Sequence, residues 1–375
     1  MAPPPVPILL VAQALTQGGS ERQLAETAKT IDRSRFSPHV GVFRSHGFRL
    51  DELRAAGIPV ACFPLSSFKS PRSVASAAWA MGRYLRKHRI RLVHSFDLPS
   101  NVLAVPVARA FQTPVVVSSQ RAFRALAPEG FRRFLRFTDC LVDAVVVNCR
   151  ALERHLVEDE NVSPVRVRLC HNGIDTAVFR PGPNVRPPEL EGASLVVGVV
   201  CALRPEKGLP TLVEAFAKVR RGDSGMRLVI VGSGPVLPEL EKLRNRLDLS
   251  GVCVFTPSTP DVVRWLRGID IFVLPSLSEA FSNSLMEAMA CGCAVVASRV
   301  GGNPELVEHG ERGLLFQAGN PDDLAAQIAR LAQDEDARRC VADSGRRFIA
   351  ANFSIAAAAS RMAEIYSSLL RQKAH

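Results

Sequence analysis

Short runs of Val, Ile and Leu recur along this chain, separated by longer stretches in which apolar residues return every three or four positions. Runs of the first kind are strands buried on both faces. Stretches of the second kind are amphipathic helices, and their alternation is the pattern of parallel sheets covered by helices on both sides. In the first half, strands are expected at residues 8–12, 39–43, 60–63, 92–95, 115–118, 144–148 and 165–170. Residues 181–194, PGPNVRPPELEGAS, are dense in Pro and Gly without an apolar period, which places a linker there. The alternation then resumes, with strands expected at 195–202, 227–231, 252–255, 271–274 and 294–297. The pattern predicts an α/β protein of two doubly wound, Rossmann-like domains: residues 1–180, the linker 181–194, and residues 195–352. An Ala-rich helical stretch within 353–375 either stays with the second domain or crosses back to the first.

A length of 375 residues is enough for two cores, and 47% hydrophobic with 22% charged residues is the composition of a globular protein. The apolar runs near the N-terminus are too short to span a bilayer. No basic residue precedes the first of them, so MAPPPVPILLVAQ reads as a first strand and a cytoplasmic location is expected. The nine cysteines are scattered, with only Cys291 and Cys293 close together, so neither a zinc site nor a disulfide framework is indicated and buried thiols are expected. The net charge of +11 lies wholly in the first half: residues 1–180 carry 25 Lys and Arg against 14 Asp and Glu, and the rest 22 against 22. A basic half of this kind attracts an anionic partner: phospholipid headgroups, an acidic or phosphorylated acceptor, or nucleic acid.

Ligands of parallel sheets bind at the carboxyl ends of strands, and two such domains side by side offer a cleft where two substrates meet. After the first strand, Gly18 and Gly19 permit close backbone approach, and Ser20 is placed to cap a helix, an arrangement suited either to an anion or simply to a turn. LRPEKG, after the strand at 195–202, puts Arg204 and Lys207 at a carboxyl end, where they either hold a diphosphate or stand as solvated loop charges. Gly232 and Gly234 make only half of a dinucleotide fingerprint, which disfavours a nicotinamide oxidoreductase. The most informative stretch is residues 274–298, where Glu279 lies in a loop after a strand and Glu287 on the helix that begins near Ser282. Amides at that helix start suit a phosphate, and the two carboxylates can accept hydrogen bonds from sugar and ribose hydroxyls. A hydrolase pair is the other use of two nearby acids, but neither has an evident water-activating partner.

These segments resemble the retaining glycosyltransferases of family 4, which have the GT-B fold, two Rossmann-like domains facing a central cleft. The resemblance spans nearly the whole chain. It is carried by GGSE at 18–21, HNGID at 171–175, RPEKG at 204–208, VGSGP at 231–235, SEAFSNSLMEAMACG at 278–292 and GGNPELVEHGERGLLF at 301–316. The resemblance implies that Glu279 binds donor-sugar hydroxyls and Glu287 the donor ribose. It further implies that the amides of Phe281, Ser282, Asn283 and Ser284 hold the diphosphate with Lys207, and that Gly18 and Gly19 belong to a loop closing on it. His94 matches a histidine near the reacting sugar carbon. The family's usual arginine position is Ala202 here, with Arg204 two residues on as its stand-in, and a second histidine or polar position reads Phe96, with Asp97 beside it. The expected co-substrate is a nucleotide-diphosphate sugar, UDP-linked by preference, with no cofactor. No Asp-x-Asp pair follows any strand, so no metal is expected.

On the acceptor side, residues 118–137 carry Arg121, Arg124, Arg132, Arg133 and Arg136 beside Phe123, Phe131, Phe134 and Phe137. They form either an amphipathic helix for an anionic membrane surface, presenting a lipid-linked glycan, or core phenylalanines beneath a solvated face. The resemblance implies synthesis of a surface polysaccharide or another glycoconjugate on the cytoplasmic face of a membrane. A sugar-nucleotide epimerase of the same fold and a non-catalytic anion-binding protein are the alternatives. Nucleic acid is not expected as a partner, since no recognised module for it is present.

Overall fold

The computed structural model describes residues 4–16, 18–126, 128–182 and 186–373. Positions 183–185 of the expected linker, and the extreme ends of the expected first and last segments, lie outside the described residues. The chain forms two compact units. The first comprises Met1–Gly173 together with Ile355–His375, and the second Ile174–Ser354.

The first unit contains seven parallel strands, β1 to β7: Val6–Ala12, Phe36–Val42, Val60–Cys62, Leu92–Ser95, Val115–Gln120, Ala144–Val147 and Val167–Leu169. Their order across the sheet is β3-β2-β1-β4-β5-β6-β7. The second unit contains β8 to β13: Val196–Val200, Arg227–Val231, Cys253–Thr256, Ile271–Leu274, Ala294–Ser298 and Leu314–Phe316, in the order β10-β9-β8-β11-β12-β13. Each chain path runs outward to one side and then restarts on the other, between β1 and β4 and between β8 and β11. Those are the switch points at which loops diverge and leave room for a ligand.

The apolar runs are strands because both faces are covered: Ile8 to Ala12 and Val115 to Val117 have no exposed surface. β13 is the strand that patterning misses. Only three residues long, it follows Gly313, whose φ of 144° and missing Cβ let the backbone pass Val295. The chain passes from one unit to the other at Gly173, ahead of the expected linker. The described part of 181–194 is tied into the second unit, where Arg186 pairs with Asp270 at 2.8 Å and Leu190 is fully buried.

The helix Ile355–Gln372 belongs to the first unit, burying Met362, Ala363, Tyr366 and Leu369 in the same core as Ile8, Leu10 and Phe36. All nine cysteines are free thiols. The expectation that they are buried is corrected at Cys62, Cys140 and Cys340, which are exposed because they lie at the end of an edge strand or on the outer faces of helices.

Candidate active site

In the second unit the loops after β8 and β11 are locked together by backbone. Gly208 takes a φ of 61°, and a Cβ on it would lie 2.3 Å from the Pro275 carbonyl oxygen. The Leu277 amide donates to the Glu206 carbonyl at 2.8 Å. This closeness brings Lys207 Nζ to 2.5 Å from Glu279 Oε2, with only 19% and 14% of the two side chains exposed. Ser276 Oγ donates to the same carboxylate oxygen at 3.3 Å. Burial alone would lower the Lys207 pKa, but the charge and hydrogen bond of Glu279 outweigh it and hold the ammonium above its ordinary range. Arg204 stands apart, its side chain 63% exposed and its nearest acid Glu206 at 3.9 Å.

Glu279 is fixed from behind by the loop after β12. Gly301, at a φ of 52°, leaves no room for a side chain, because a Cβ would meet the Glu279 carbonyl oxygen at 1.7 Å. The Gly302 amide donates to the Ala280 carbonyl at 2.6 Å. Ser282 then caps the helix Asn283–Cys291, its Oγ accepting from the Leu285 amide at 3.3 Å and lying 3.2 Å from Ser284 Oγ. Phe281 is buried, its ring 5.5 Å from that of Phe353, and Glu287 is 6% exposed on the helix. A partly buried cation, a carboxylate and a helix start are thus gathered at one end of one sheet, an arrangement that suits a charged diphosphate joined to a polyhydroxyl group. Gly232 and Gly234 serve packing within the unit, since a Cβ on either would strike the Cys201 or Leu203 carbonyl oxygen of the neighbouring loop.

In the first unit His94, at the penultimate position of β4, is fully buried. Its Nδ1 is 2.6 Å from Tyr366 Oη and its Nε2 2.8 Å from Ser119 Oγ. Burial, and secondarily the Arg121 charge, hold its pKa well below the usual histidine value, so the ring is neutral. Asp97 caps the helix Leu98–Ala110, accepting from the Ser100 amide at 2.7 Å and the Gln13 amide at 2.8 Å. Burial nevertheless raises its pKa to about 6. Gly18 is the N-cap residue of the helix Gly19–Thr30 and, being glycine, brings no side-chain cap of its own.

The basic segment divides. Arg124 is buried and committed to structure: Asp139 lies at 2.7 Å, Glu160 at 3.6 Å, and its Nε donates to Gln120 at 2.8 Å. Arg121 lies over the Phe96 ring at 5.1 Å and donates to Asn172 Oδ1 at 2.6 Å. On the helix Glu129–Leu141, Phe134 and Phe137 are exposed with rings 5.7 Å apart, while Leu135 is buried. Arg133 and Arg136 on this helix pair with Glu129 and Glu160. Sequence pattern alone singles out neither Tyr366 nor Ser119, and it gives Asn172 no role of its own. Asn172 lies in the HNGID motif, but nothing in the sequence joins Tyr366 to a histidine 272 positions away.

Two family models match this chain: "Glycosyltransferase Family 4" over residues 17–178 and "Glycosyl transferases group 1" over residues 194–334. The chain belongs to the family 4 glycosyltransferases. D-inositol 3-phosphate glycosyltransferase of Acidothermus cellulolyticus is 35% identical to this family 4 chain over 243 residues, which are 60% of the chain and 54% of that relative. The chain therefore spans about half the length of that relative. The protein of the same name from Thermobispora bispora is 28% identical over 97% of the chain and 89% of its own length. Among solved structures, Anabaena Alr3699/HepE in complex with UDP and glucose superposes with a TM-score of 0.87 at 23% identity, covering 97% of this chain and all of that one. Sucrose-phosphate synthase of Thermosynechococcus elongatus gives 0.82 at 20% identity over 98% of this chain and 100% of its own. The fold is that of the GT-B glycosyltransferases. Among the described residues no helix is long and apolar enough to cross a membrane.

Proposed function

We propose that this protein transfers a sugar, with retention of anomeric configuration, from a UDP-sugar held by the second unit to an acceptor held by the first. The observation that carries the reading is the partly buried Lys207–Glu279 pair at 2.5 Å beside the start of the helix Asn283–Cys291. UDP is favoured because Alr3699/HepE, the structural neighbour above, has been crystallised with UDP and with UDP-glucose.

In the reaction the bond from the sugar anomeric carbon to the diphosphate oxygen breaks, and UDP departs with the electron pair. Lys207 and the amides from Phe281 to Ser284 stabilise the charge that develops on it, with Arg204 reaching in from solvent. Glu279 hydrogen-bonds the sugar hydroxyls and Glu287 the ribose. Gly18 and Gly19 supply amides to the diphosphate. The acceptor oxygen bonds to the same face of the sugar, and its proton passes to a departing phosphate oxygen. His94 contributes as a neutral group with a fixed ring, and no metal ion is required.

We also infer that the basic unit works at an anionic membrane surface, taking a lipid-linked or glycan acceptor for surface polysaccharide or glycoconjugate synthesis. Exposed Phe134 and Phe137 support this, as does Trp79, 61% exposed on the helix Pro71–Lys87. Between Glu52 and Asp97 the chain has no acidic residue at all.

The test is a panel of UDP-, GDP- and ADP-sugars with EDTA present, following release of nucleoside diphosphate and thermal stabilisation. The expected result is a response to one UDP-sugar that is lost in Glu279→Ala and Lys207→Ala. A wild-type protein that neither binds nor turns over any donor refutes the reading. Loss of turnover with EDTA refutes metal independence alone.

A further inference from the structure

Two arginines three positions apart, Arg124 fully buried and Arg121 partly so with its Nε closed off from solvent, have their charges treated in opposite ways. Arg124 is neutralised by Asp139 and Glu160. Arg121 has no carboxylate of any described residue within 4 Å, and its Nε has no hydrogen-bond partner. Its companions are neutral: the Asn172 carbonyl oxygen at 2.6 Å and the face of Phe96 at 5.1 Å.

Burying a guanidinium without a counter-charge is costly, and a folded chain ordinarily avoids it by supplying an acid, as this one does for Arg124. The position is also telling. Arg121 directly follows β5, and Asn172 lies just beyond β7, so the pair occupies the carboxyl end of the sheet, where ligands of such folds bind. The Asn172 bond and the Phe96 face fix the plane of the guanidinium, leaving a rigid fork of donors suited to two oxygens of one anion.

We propose that Arg121 is the receptor for an anionic group, phosphate or carboxylate, on the acceptor. This rests on the glycosyltransferase reading and deepens it, because it names the acceptor as acidic and places its charge in the first unit. Arg124, which sequence reasoning grouped with Arg121, takes no part in that recognition.

The experiment titrates wild type, Arg121→Met, Arg121→Lys and Arg124→Met with inorganic phosphate and with glucuronate, each with and without saturating UDP, and records thermal stability without ligand. The expected result is anion binding that persists under UDP and weakens about ten- to a hundredfold in Arg121→Met, the range for losing charge-assisted hydrogen bonds. Arg121→Lys keeps part of it. Preference for phosphate or for glucuronate identifies the acceptor's acidic group. Without ligand, Arg121→Met melts at or above the wild-type temperature, because it removes an uncompensated charge, whereas Arg124→Met melts well below it.

Three results would overturn the proposal: equal anion affinity in wild type and Arg121→Met, anion binding abolished by UDP, or destabilisation of Arg121→Met as deep as that of Arg124→Met. Failure of wild type to bind UDP would count against the donor reading instead, and the titrations without UDP would still decide the role of Arg121.

Discussion

Replacing Glu279 with Gln removes the charge that holds Lys207 while keeping the size of the side chain. The two charged atoms are 2.5 Å apart and their side chains are only 19% and 14% exposed. Breaking a buried pair by removing one partner costs about 3–5 kcal/mol, and the remaining solvent access puts this pair near the lower figure. At about 2–4 °C per kcal/mol for a unit of this size, the melting temperature of the second unit should fall by about 6–12 °C.

The pH dependence gives a second reading. In the wild type the Lys207 pKa is raised, so the pair's contribution is complete below the ordinary lysine value of 10.5 and is lost only as pH rises through the still higher folded value. Stability from this pair is therefore flat from pH 7 to 9. Without Glu279, burial is opposed only by the smaller effects of Cys201 and Glu206, and it pulls the ammonium downward. The variant should then gain stability as pH rises through that lowered pKa towards 10.5, while its UDP affinity falls, because the neutral amine attracts the diphosphate less. Thermal unfolding and UDP calorimetry across pH 7–9.5 would show both trends. A Glu279→Gln protein that melts with the wild type and binds UDP with the same pH profile would refute the idea that Glu279 sets the charge of Lys207.

Gly301→Ala should abolish turnover with a UDP-sugar donor, since its Cβ must displace the Glu279 carbonyl oxygen now 1.7 Å from that point; wild-type kcat and KM in this variant would contradict the account of how Glu279 is held. Asp97 has a folded pKa raised to about 6 by burial, so its contribution to stability is greatest below pH 3.8 and declines as pH rises to about 6. The stability of wild type relative to Asp97→Ser, which keeps a capping oxygen, should therefore decline over that window and level off above it, and a constant difference would count against a raised pKa. Vesicles of phosphatidylglycerol should shift Trp79 emission to the blue, with Trp265, 7% exposed, contributing little change. Vesicles of phosphatidylcholine should leave it unmoved, and no shift with either lipid would argue against a membrane role for this face.

Much of the architecture is legible in the sequence because a parallel strand buried on both faces is written largely in apolar residues, and such runs with their flanking residues locate Leu92–Ser95, Arg227–Val231 and Ile271–Leu274 to the residue. Leu314–Phe316 escapes because three apolar residues after a glycine have no period to detect. Candidate-site residues close in sequence, such as Glu279 and Ser282, are legible as a group, since one loop and its helix carry them. Their coupling to Lys207, 72 positions away, is not, because it arises from two glycines that let loops cross at backbone distance. Arg121 and Arg124 look alike in the sequence. What separates them is where Asp139 and Glu160 fall in three dimensions, and no local pattern encodes that.

The return of Ile355–Gln372 to the first unit makes the second unit an insertion within the first. Newly made chain must therefore carry a complete first sheet over an unfinished core, lacking Met362, Tyr366 and Leu369 and leaving His94 without the Tyr366 hydroxyl, while all of the second unit is synthesised. The second unit can close as soon as Ser354 leaves the ribosome, ahead of the unit that precedes it in the chain. A lesion in Ile355–Gln372 would then strike the half of the protein begun first.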